Sequence, residues 1–249
     1  IVSSASCHLV LMGCSFTWGD GVILEETLAY KLKEAFSPHC NVYNYAIPGA
    51  GSGEMLVQLK KPELFDDISE NDGFCIYAIM PDHLRRSTYN FHRILSDSKQ
   101  QLFFKLSTDD ELLGPMNFQD DLYLDMFTRV IMFLYKFSPV SRFCLYQFYP
   151  TPYRESTVVR INLEIINEMQ QAYEKMFEGK FVVMLWHDQK TAYAWQLFKE
   201  KLQKIDIPVI MIPDSPDPLG LRLHKYDPHP NKHGHQWATE HLQKALKKL

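Results

Sequence analysis

Short apolar runs of strand length alternate along this chain with amphipathic segments of helix length. Six runs are nearly continuously apolar, as in strands that are buried on both faces: 8–13, 42–47, 74–80, 142–149, 181–186 and 208–212. Six segments between and after them repeat apolar residues every three or four positions: 26–36, 53–68, 121–137, 158–177, 192–205 and 233–249. The alternation predicts an α/β fold, a three-layer sandwich with a mostly parallel sheet between helices.

The domain organisation is predicted to be simple. The chain has 249 residues, of which 46% are hydrophobic and 22% charged, and this composition is typical of a folded globular protein. No internal repeat, low-complexity tract or long linker divides it. We therefore expect one domain over 1–249. The polar, charge-rich stretch at 82–119 interrupts the rhythm, and we interpret it as an insertion over the site, a candidate lid.

Charge and apolar run length exclude several kinds of partner. The 26 Lys and Arg residues against 30 Asp and Glu residues give a net charge of −4, which disfavours nucleic acids and anionic membranes and favours small or neutral substrates. No apolar run approaches the roughly 18 residues that cross a bilayer, so no transmembrane segment is predicted. The sequence leaves the compartment open between cytoplasmic and exported.

The cysteines imply neither a zinc knuckle nor a complete disulfide framework. There are five of them, an odd number, and no two form a CxxC pair. We expect most of them to be buried thiols.

Ser15 follows the first predicted strand directly and precedes a turn and a helix. A side chain at the carboxyl end of a parallel strand lies at the edge where ligands bind, which is a suitable place for a nucleophile. The alternative is a serine that caps the following helix, and spacing alone does not separate the two readings.

A glycine-rich turn, with the sequence NYAIPGAGSG at 44–53, follows the second predicted strand. Glycines at such a turn bring backbone N–H groups close to a ligand. A dinucleotide-binding loop is the alternative, but Glu54 stands where its third glycine would be, and the loop follows the second strand rather than the first. An ordinary strand-to-helix turn is the other alternative.

Asp227 and His229 lie in a segment stiffened by two prolines, just before the last predicted helix. A carboxylate two residues before an imidazole can orient the ring and stabilise it when it takes a proton, which is the arrangement of a general base. A metal site is the alternative, because His224, His233 and His235 are close by. No Cys or carboxylate set completes a metal shell, so we interpret those three as solvated or capping residues and predict no metal or cofactor.

These segments, in this order, resemble the SGNH or GDSL-like hydrolases, whose branches read GDSFTxGxGV, NLGVPGxGT, a PND-like step and DxHPNxxGH. The counterparts here are GCSFTWGDGV at 13–22, NYAIPGAGS at 44–52, PDHLRR at 81–86 and DPHPNKHGH at 227–235. The resemblance implies a flavodoxin-like fold, Ser15 as the nucleophile, His229 as the general base and Asp227 as its orienting carboxylate. It also implies an oxyanion hole formed by the Ser15 and Gly49 N–H groups.

The chain departs from the family pattern at two positions. Cys14 stands where the family usually has Asp, and a thiol is a weaker hydrogen-bonding group. In the third block Asp82 takes the place of an Asn that donates to the oxyanion, and His83 the place of an Asp. An ionised Asp82 would repel a developing oxyanion, unless it is protonated in a dry pocket, His83 donates instead, or the block is displaced by one residue.

The resemblance implies a serine-dependent acyl-ester hydrolase or O-acyltransferase acting on small acyl esters, acetyl esters above all, with carbohydrate esters as candidate substrates. The alternative is a catalytically weakened domain that binds a glycan or a protein, which the two departures would explain. Four aromatic residues are candidates for stacking on sugar rings: Trp18, Tyr89, Phe91 and Tyr149.

Overall fold

The computed structural model describes residues 5–89, 102–117, 120–141, 143, 153–186 and 193–249. The strands of these ranges are β1 Cys7–Met12, β2 Cys40–Asn44, β3 Gly73–Ile79, β4 Phe103–Leu106, β5 Leu112–Met116, β6 Lys180–Leu185, β7 Val209–Met211, β8 Arg222–His224 and β9 Asp227–Pro230. The helices are α1 Ser15–Trp18, α2 Leu28–Phe36, α3 Ser52–Leu59, α4 Pro81–Arg86, α5 Leu122–Phe137, α6 Glu155–Met176, α7 Tyr193–Leu202 and α8 Lys232–Leu246. Short 3₁₀ helices cover Leu24–Glu26 and Pro62–Phe65.

Five parallel strands form the central sheet, in the order β2-β1-β3-β6-β7. Counting only these strands along the chain, the order is 2-1-3-4-5, which is that of flavodoxin-like folds. The predicted fold class is confirmed. Because all five strands run the same way, their carboxyl ends lie at one edge, and the segments after β1, β2 and β3 meet there.

Helices cover both faces of the sheet. On one face, α3, α6 and α7 pack against side chains such as Val10, Tyr77 and Val183. On the other face, α2 and α8 pack against side chains such as Leu11 and Ile76. Neighbouring strand residues therefore point into different cores, which explains why the strands are apolar at nearly every position.

The structure differs from the prediction at one helix and at one hairpin, and one predicted strand remains untested. The helix expected over 53–68 ends at Leu59, because Pro62 starts a separate 3₁₀ helix and a proline has no N–H for the helical ladder. The strand expected at 142–149 falls almost entirely outside the described residues, and β3 pairs directly with β6. Within 82–119, β4 and β5 form an antiparallel hairpin that was not predicted.

The insertion at 82–119 begins inside α4. Phe103 of β4 packs with Tyr89 and with Leu124 and Ile131 of α5 in a small apolar cluster separate from the two main cores. The lid role of this stretch, like the single domain over 1–249, stays a prediction.

The cysteines include one disulfide that the sequence did not predict. Cys7 and Cys40 form a disulfide, because the register of β1 and β2 places them side by side at the amino ends of the two strands. Sequence spacing could not show this proximity. Cys14 and Cys75 are buried thiols, as expected, and Cys144 lies outside the described residues. No helix in the described ranges is long and apolar enough to cross a membrane.

Candidate active site

Ser15 lies at the first position of α1, and two residues separate it from Met12, the last residue of β1. The turn into α1 is tight at Gly13, where a Cβ atom would lie 2.5 Å from Thr17 Oγ1 and 2.9 Å from Ala78 O. A side chain is thus excluded there. Ser15 is 9% exposed, so it is more covered than a strand-end position by itself suggests.

His229 brings its imidazole to Ser15 from the far end of the sequence. Its Nε2 lies 2.8 Å from Ser15 Oγ, and its Nδ1 lies 2.6 Å from Asp227 Oδ1. The same carboxylate oxygen accepts the His229 backbone N–H at 3.0 Å. Because a carboxylate can only accept, Nδ1 carries the proton and Nε2 is left to accept the Ser15 hydroxyl hydrogen.

The ring and the carboxylate are held by their surroundings. Phe16 packs against the His229 ring, with the ring centres 4.8 Å apart. The backbone N–H of His229, followed by its imidazole, lowers the pKa of the Asp227 carboxyl below its ordinary value. Asp227 is therefore ionised over the neutral range and keeps the orientation of the ring fixed.

Asn231 fixes the segment that carries His229. Its side-chain amide donates to Gly220 O at 2.9 Å and to Arg222 O at 2.8 Å, on the β8 side of the β8–β9 hairpin. Its carbonyl oxygen accepts the N–H groups of His233 and Gly234 and so caps α8. One side chain thus joins the hairpin to the last helix.

The glycine-rich turn lies against the loop before Ser15. Ile47 N donates to Gly13 O at 3.0 Å, and the side chain of Asn44 reaches Thr17 O and Trp18 O, both at 3.4 Å. Gly49 has φ +78°, a conformation that favours glycine, and in the described part of the chain no acceptor is hydrogen-bonded to its N–H.

Cys14 and Asp82, the two residues that depart from the family pattern, have different surroundings. Cys14 is fully buried, and its Sγ lies 3.5 Å from Met80 Sδ. Burial raises the pKa of this thiol, so it stays neutral. The Asp82 side chain is 49% exposed, so it does not lie in a dry pocket, and its Oδ2 lies 3.9 Å from Arg86 Nη2.

His83 faces the core. It is fully buried, and its Nδ1 lies 2.9 Å from Tyr77 OH. Tyr77 OH donates to Ser52 Oγ, which donates to Asn162 Oδ1, each at 2.8 Å. The Asn162 amide donates to Leu84 O at 2.9 Å and so joins this chain of hydrogen bonds to α4. His83 therefore belongs to a buried network that holds α4, and its Nδ1 is occupied by Tyr77.

An apolar cavity of about 350 Å³ lies next to Ser15 and His229, on the β6 and β7 side. Its wall includes Phe16 together with side chains from the ends of the neighbouring strands and from α8, among them Trp186, Ile212, Leu221, Pro230 and Trp237. Phe16 contacts both the His229 ring and Trp186, so it connects the imidazole with the wall of this cavity.

The fold has counterparts among solved structures. The structure is similar to that of a member of the lipolytic protein G-D-S-L family from Veillonella parvula DSM 2008, with a TM-score of 0.53, 12% identity and coverage of 98% of this chain and 100% of that chain. The chain has the SGNH/GDSL-like hydrolase fold. A protein assigned to the lipolytic G-D-S-L family from Desulfitobacterium hafniense DCB-2 is similar too, with a TM-score of 0.50, 10% identity and coverage of 96% and 98%. The sequence matches no family model and no curated protein.

Several interpretations of single residues that were based on the sequence need correction. His235 is neither solvated nor capping, because it is fully buried on the inner face of α8. The cap of α8 is Asn231, whereas His224 and His233 are exposed as expected. Tyr89 is fully buried and unavailable for sugar stacking, Trp18 is 49% exposed, and Phe91 and Tyr149 lie outside the described residues.

The described residues contain no group of three or more His, Cys, Asp or Glu side chains that could hold a metal ion. Three residues that shape the site were not singled out from the sequence: Asn44, Asn231 and Arg86. An Asn directly before a helical pattern is a helix-start signal, which could have identified Asn231. Asn44 matches the first residue of the NLGVPGxGT block, which was a signal, whereas for Arg86 the sequence holds no comparable signal.

Proposed function

We propose that this protein is a serine-dependent acyl-ester hydrolase or O-acyltransferase. The observation that carries the proposal is the continuous series of contacts from Ser15 Oγ through His229 to Asp227, at 2.8 Å and 2.6 Å. A serine hydroxyl is a weak nucleophile by itself and needs an adjacent base that is oriented by a third group. The similarity to G-D-S-L structures supports the fold on which this chemistry is built.

In the proposed reaction, Ser15 Oγ attacks the ester carbonyl carbon while its proton passes to His229 Nε2. The carbonyl π electrons move onto oxygen and form a tetrahedral oxyanion. Collapse of this intermediate breaks the bond to the alcohol oxygen, which takes the proton from His229 and leaves an acyl-enzyme. Water or an acceptor alcohol then repeats the sequence and releases the acyl group.

The proposed oxyanion hole consists of the Ser15 and Gly49 N–H groups. Fixed donors of this kind stabilise the transition state by roughly 3–4 kcal/mol each. The hydrogen bond from Ile47 N to Gly13 O supports their pairing, because it ties the turn that carries Gly49 to the loop that carries Ser15.

We propose small acyl esters as substrates, acetyl esters above all, with carbohydrate esters as the candidate class. The apolar cavity beside Phe16 offers an independent check of acyl size. In a series of p-nitrophenyl esters from acetate to octanoate, the proposal predicts the highest kcat/KM at acetate. A maximum at hexanoate or octanoate would contradict the small acyl group and show that the cavity accepts a chain.

The activity itself is tested with p-nitrophenyl acetate. We expect Ser15→Ala and His229→Ala to lower kcat by at least about 10³-fold, and Asp227→Asn by about 10²–10⁴-fold. The exposed residues Ser69 and His233 provide matched controls, and Ser69→Ala and His233→Ala should retain the wild-type rate. Equal rates for the wild type and Ser15→Ala would reject the proposal.

Hydrolysis and transfer differ only in the acceptor. Adding a sugar alcohol to the assay and measuring the ratio of O-acetylated sugar to free acetate separates the two. A ratio that rises in proportion to the sugar concentration at constant p-nitrophenol release indicates an acyl-enzyme shared between water and the sugar.

The second candidate is a weakened member that binds a glycan or a protein. Cys14 and Asp82 favour it, since neither reproduces the group that the resemblance implies at its position. Reaction with a fluorophosphonate followed by intact-mass measurement distinguishes the two candidates, because an activated serine forms a covalent adduct. No adduct on Ser15 would support the binding domain, whereas an adduct absent only in Ser15→Ala supports the enzyme.

A further inference from the structure

We propose that the guanidinium of Arg86 is a third donor to the substrate oxyanion, in addition to the Ser15 and Gly49 N–H groups. This inference rests on the proposed function, because it concerns the same tetrahedral intermediate. In the family pattern, an Asn in the third sequence block donates a hydrogen bond to the oxyanion. We assign this role to Arg86, at the end of α4.

The first observation is the contact of Arg86 with the glycine-rich turn. Its Nη1 donates to Ala50 O at 3.0 Å. A Cβ atom at Gly51 would lie 2.5 Å from Arg86 Cβ, so the absence of a side chain at Gly51 lets α4 approach the turn this closely. Arg86 therefore lies against the residues that follow Gly49.

The second observation is the electrostatic influence of Arg86 on Cys14, the residue directly before Ser15. Burial raises the pKa of this thiol, and the positive charge of Arg86 acts in the opposite direction. One cation thus contacts the turn after Gly49 and acts electrostatically on the residue before Ser15.

The third observation concerns Asp82. Its Oδ2 lies 3.9 Å from Arg86 Nη2, and the carboxylate is half exposed whereas the Arg86 side chain is only 21% exposed. The guanidinium is thus the more buried of the two charges and offsets the repulsion that Asp82 would otherwise exert on an oxyanion. A guanidinium carries five N–H donors in a rigid plane, so it can bond to Ala50 O and face a second acceptor at once.

The fourth observation is that α4 is held in place before any substrate binds. The network of His83, Tyr77, Ser52 and Asn162 connects this helix to β3, α3 and α6. A donor fixed in advance needs no rearrangement during the reaction, which is the condition for a large effect on the rate.

Kinetics of Arg86 variants test the inference, with Arg85 as the matched control on the same helix, because Arg85 is exposed and carries the same charge. With p-nitrophenyl acetate, Arg86→Gln should lower kcat by about 10²–10³-fold while KM changes by less than about threefold. Arg86→Lys should lose at least about tenfold, because an ammonium lacks the planar fork. Arg85→Gln should stay within about twofold of the wild type.

The affinity for a boronic acid tests the inference directly, because a boronic acid forms a tetrahedral anion on an activated serine. A purely structural role of Arg86 would leave this affinity unchanged. Arg86→Gln should weaken methylboronic acid binding by a factor close to its loss in kcat. If Arg86→Gln melts below the assay temperature, Arg86→Lys serves for the same comparison. Wild-type kcat or unchanged boronate affinity in a folded Arg86 variant would overturn the inference.

Comparing Ser15→Ala with Arg86→Gln separates this inference from the proposed function. If Ser15→Ala is inactive while Arg86→Gln is fully active, the esterase proposal stands and the Arg86 inference fails. If Ser15→Ala equals the wild type, the proposed function itself fails.

Discussion

Individual residues in this molecule have roles set by burial as much as by chemical type. His229 and His235 are only six positions apart, yet one contacts Ser15 and the other is fully buried on the inner face of α8. Within the described ranges neither ring nitrogen of His235 has a hydrogen-bond partner. An imidazole in such surroundings resists protonation, because burial penalises its charged form.

His235 should make the stability of the protein depend on pH. Burial, with a smaller contribution from Lys31, lowers the pKa of His235 to about 4, whereas an unfolded chain has a value of about 6.5. Between these values the unfolded state binds a proton that the folded state does not, so stability falls as pH decreases through this window. The full loss contributed by His235 is about 3 kcal/mol.

Urea unfolding at pH 7.5, 6, 5 and 4 measures this dependence. We expect His235→Leu to have a shallower decline than the wild type and a free energy of unfolding at pH 7.5 within about 1 kcal/mol of it, because no hydrogen bond is lost. His233→Leu, an exposed control on the same helix, should follow the wild-type curve. A decline as steep in His235→Leu as in the wild type would assign the effect to other groups.

At the scale of elements, buried polar side chains determine where α4 lies relative to the sheet. Tyr77 of β3 is the centre of the network, since its hydroxyl accepts from His83 Nδ1 and donates to Ser52 Oγ. Such groups are costly to bury unless every one of them is bonded. The network therefore couples β3, α3, α4 and α6 through side chains that are distant in sequence.

Tyr77→Phe should destabilise the protein by about 1–3 kcal/mol, because it leaves a buried His83 donor without its acceptor. The expected observation is a lower urea midpoint with an unchanged slope. Tyr226→Phe, which removes the hydroxyl of a tyrosine that is 80% exposed, should leave the midpoint unchanged. Equal midpoints for Tyr77→Phe and the wild type would show that the network contributes little.

At the scale of the whole molecule, the disulfide and the candidate site lie at opposite ends of the strands of the central sheet. The Cys7–Cys40 disulfide joins the amino ends of β1 and β2, whereas Ser15 follows the carboxyl end of β1. The two cysteines are 33 positions apart, so the disulfide closes a loop and restricts the unfolded chain. It does so away from Ser15, His229 and Asp227.

Cys7→Ser combined with Cys40→Ser should lower the free energy of unfolding by about 3–4 kcal/mol. Below its melting temperature, the double variant should retain kcat/KM for p-nitrophenyl acetate within about twofold of the wild type. Cys75→Ala, which removes a buried thiol without breaking a disulfide, is the control for loss of core volume. An unchanged free energy of unfolding in the double variant would contradict the prediction.

Local patterns were enough to predict most of the elements and the order of the site segments. The apolar runs that became β1, β3 and β6 are visible because strands covered on both faces need apolar residues at successive positions. The end of α3 was missed, although Pro62 marks it, because apolar spacing continued beyond Leu59. The β4–β5 hairpin was missed because short strands outside the main cores leave a weak pattern.

The sequence by itself determined the α/β class, the chemical types available at the strand ends and their order along the chain, because these depend on local periodicity and residue identity. Only the tertiary structure decided which side chains meet. The contact of Ser15 with His229, the position of Arg86 on Ala50, the pairing of Cys7 with Cys40 and the burial of His235 all depend on strand order and helix packing. Contacts between residues so distant in sequence have no local signature, since they form only when separate elements pack together.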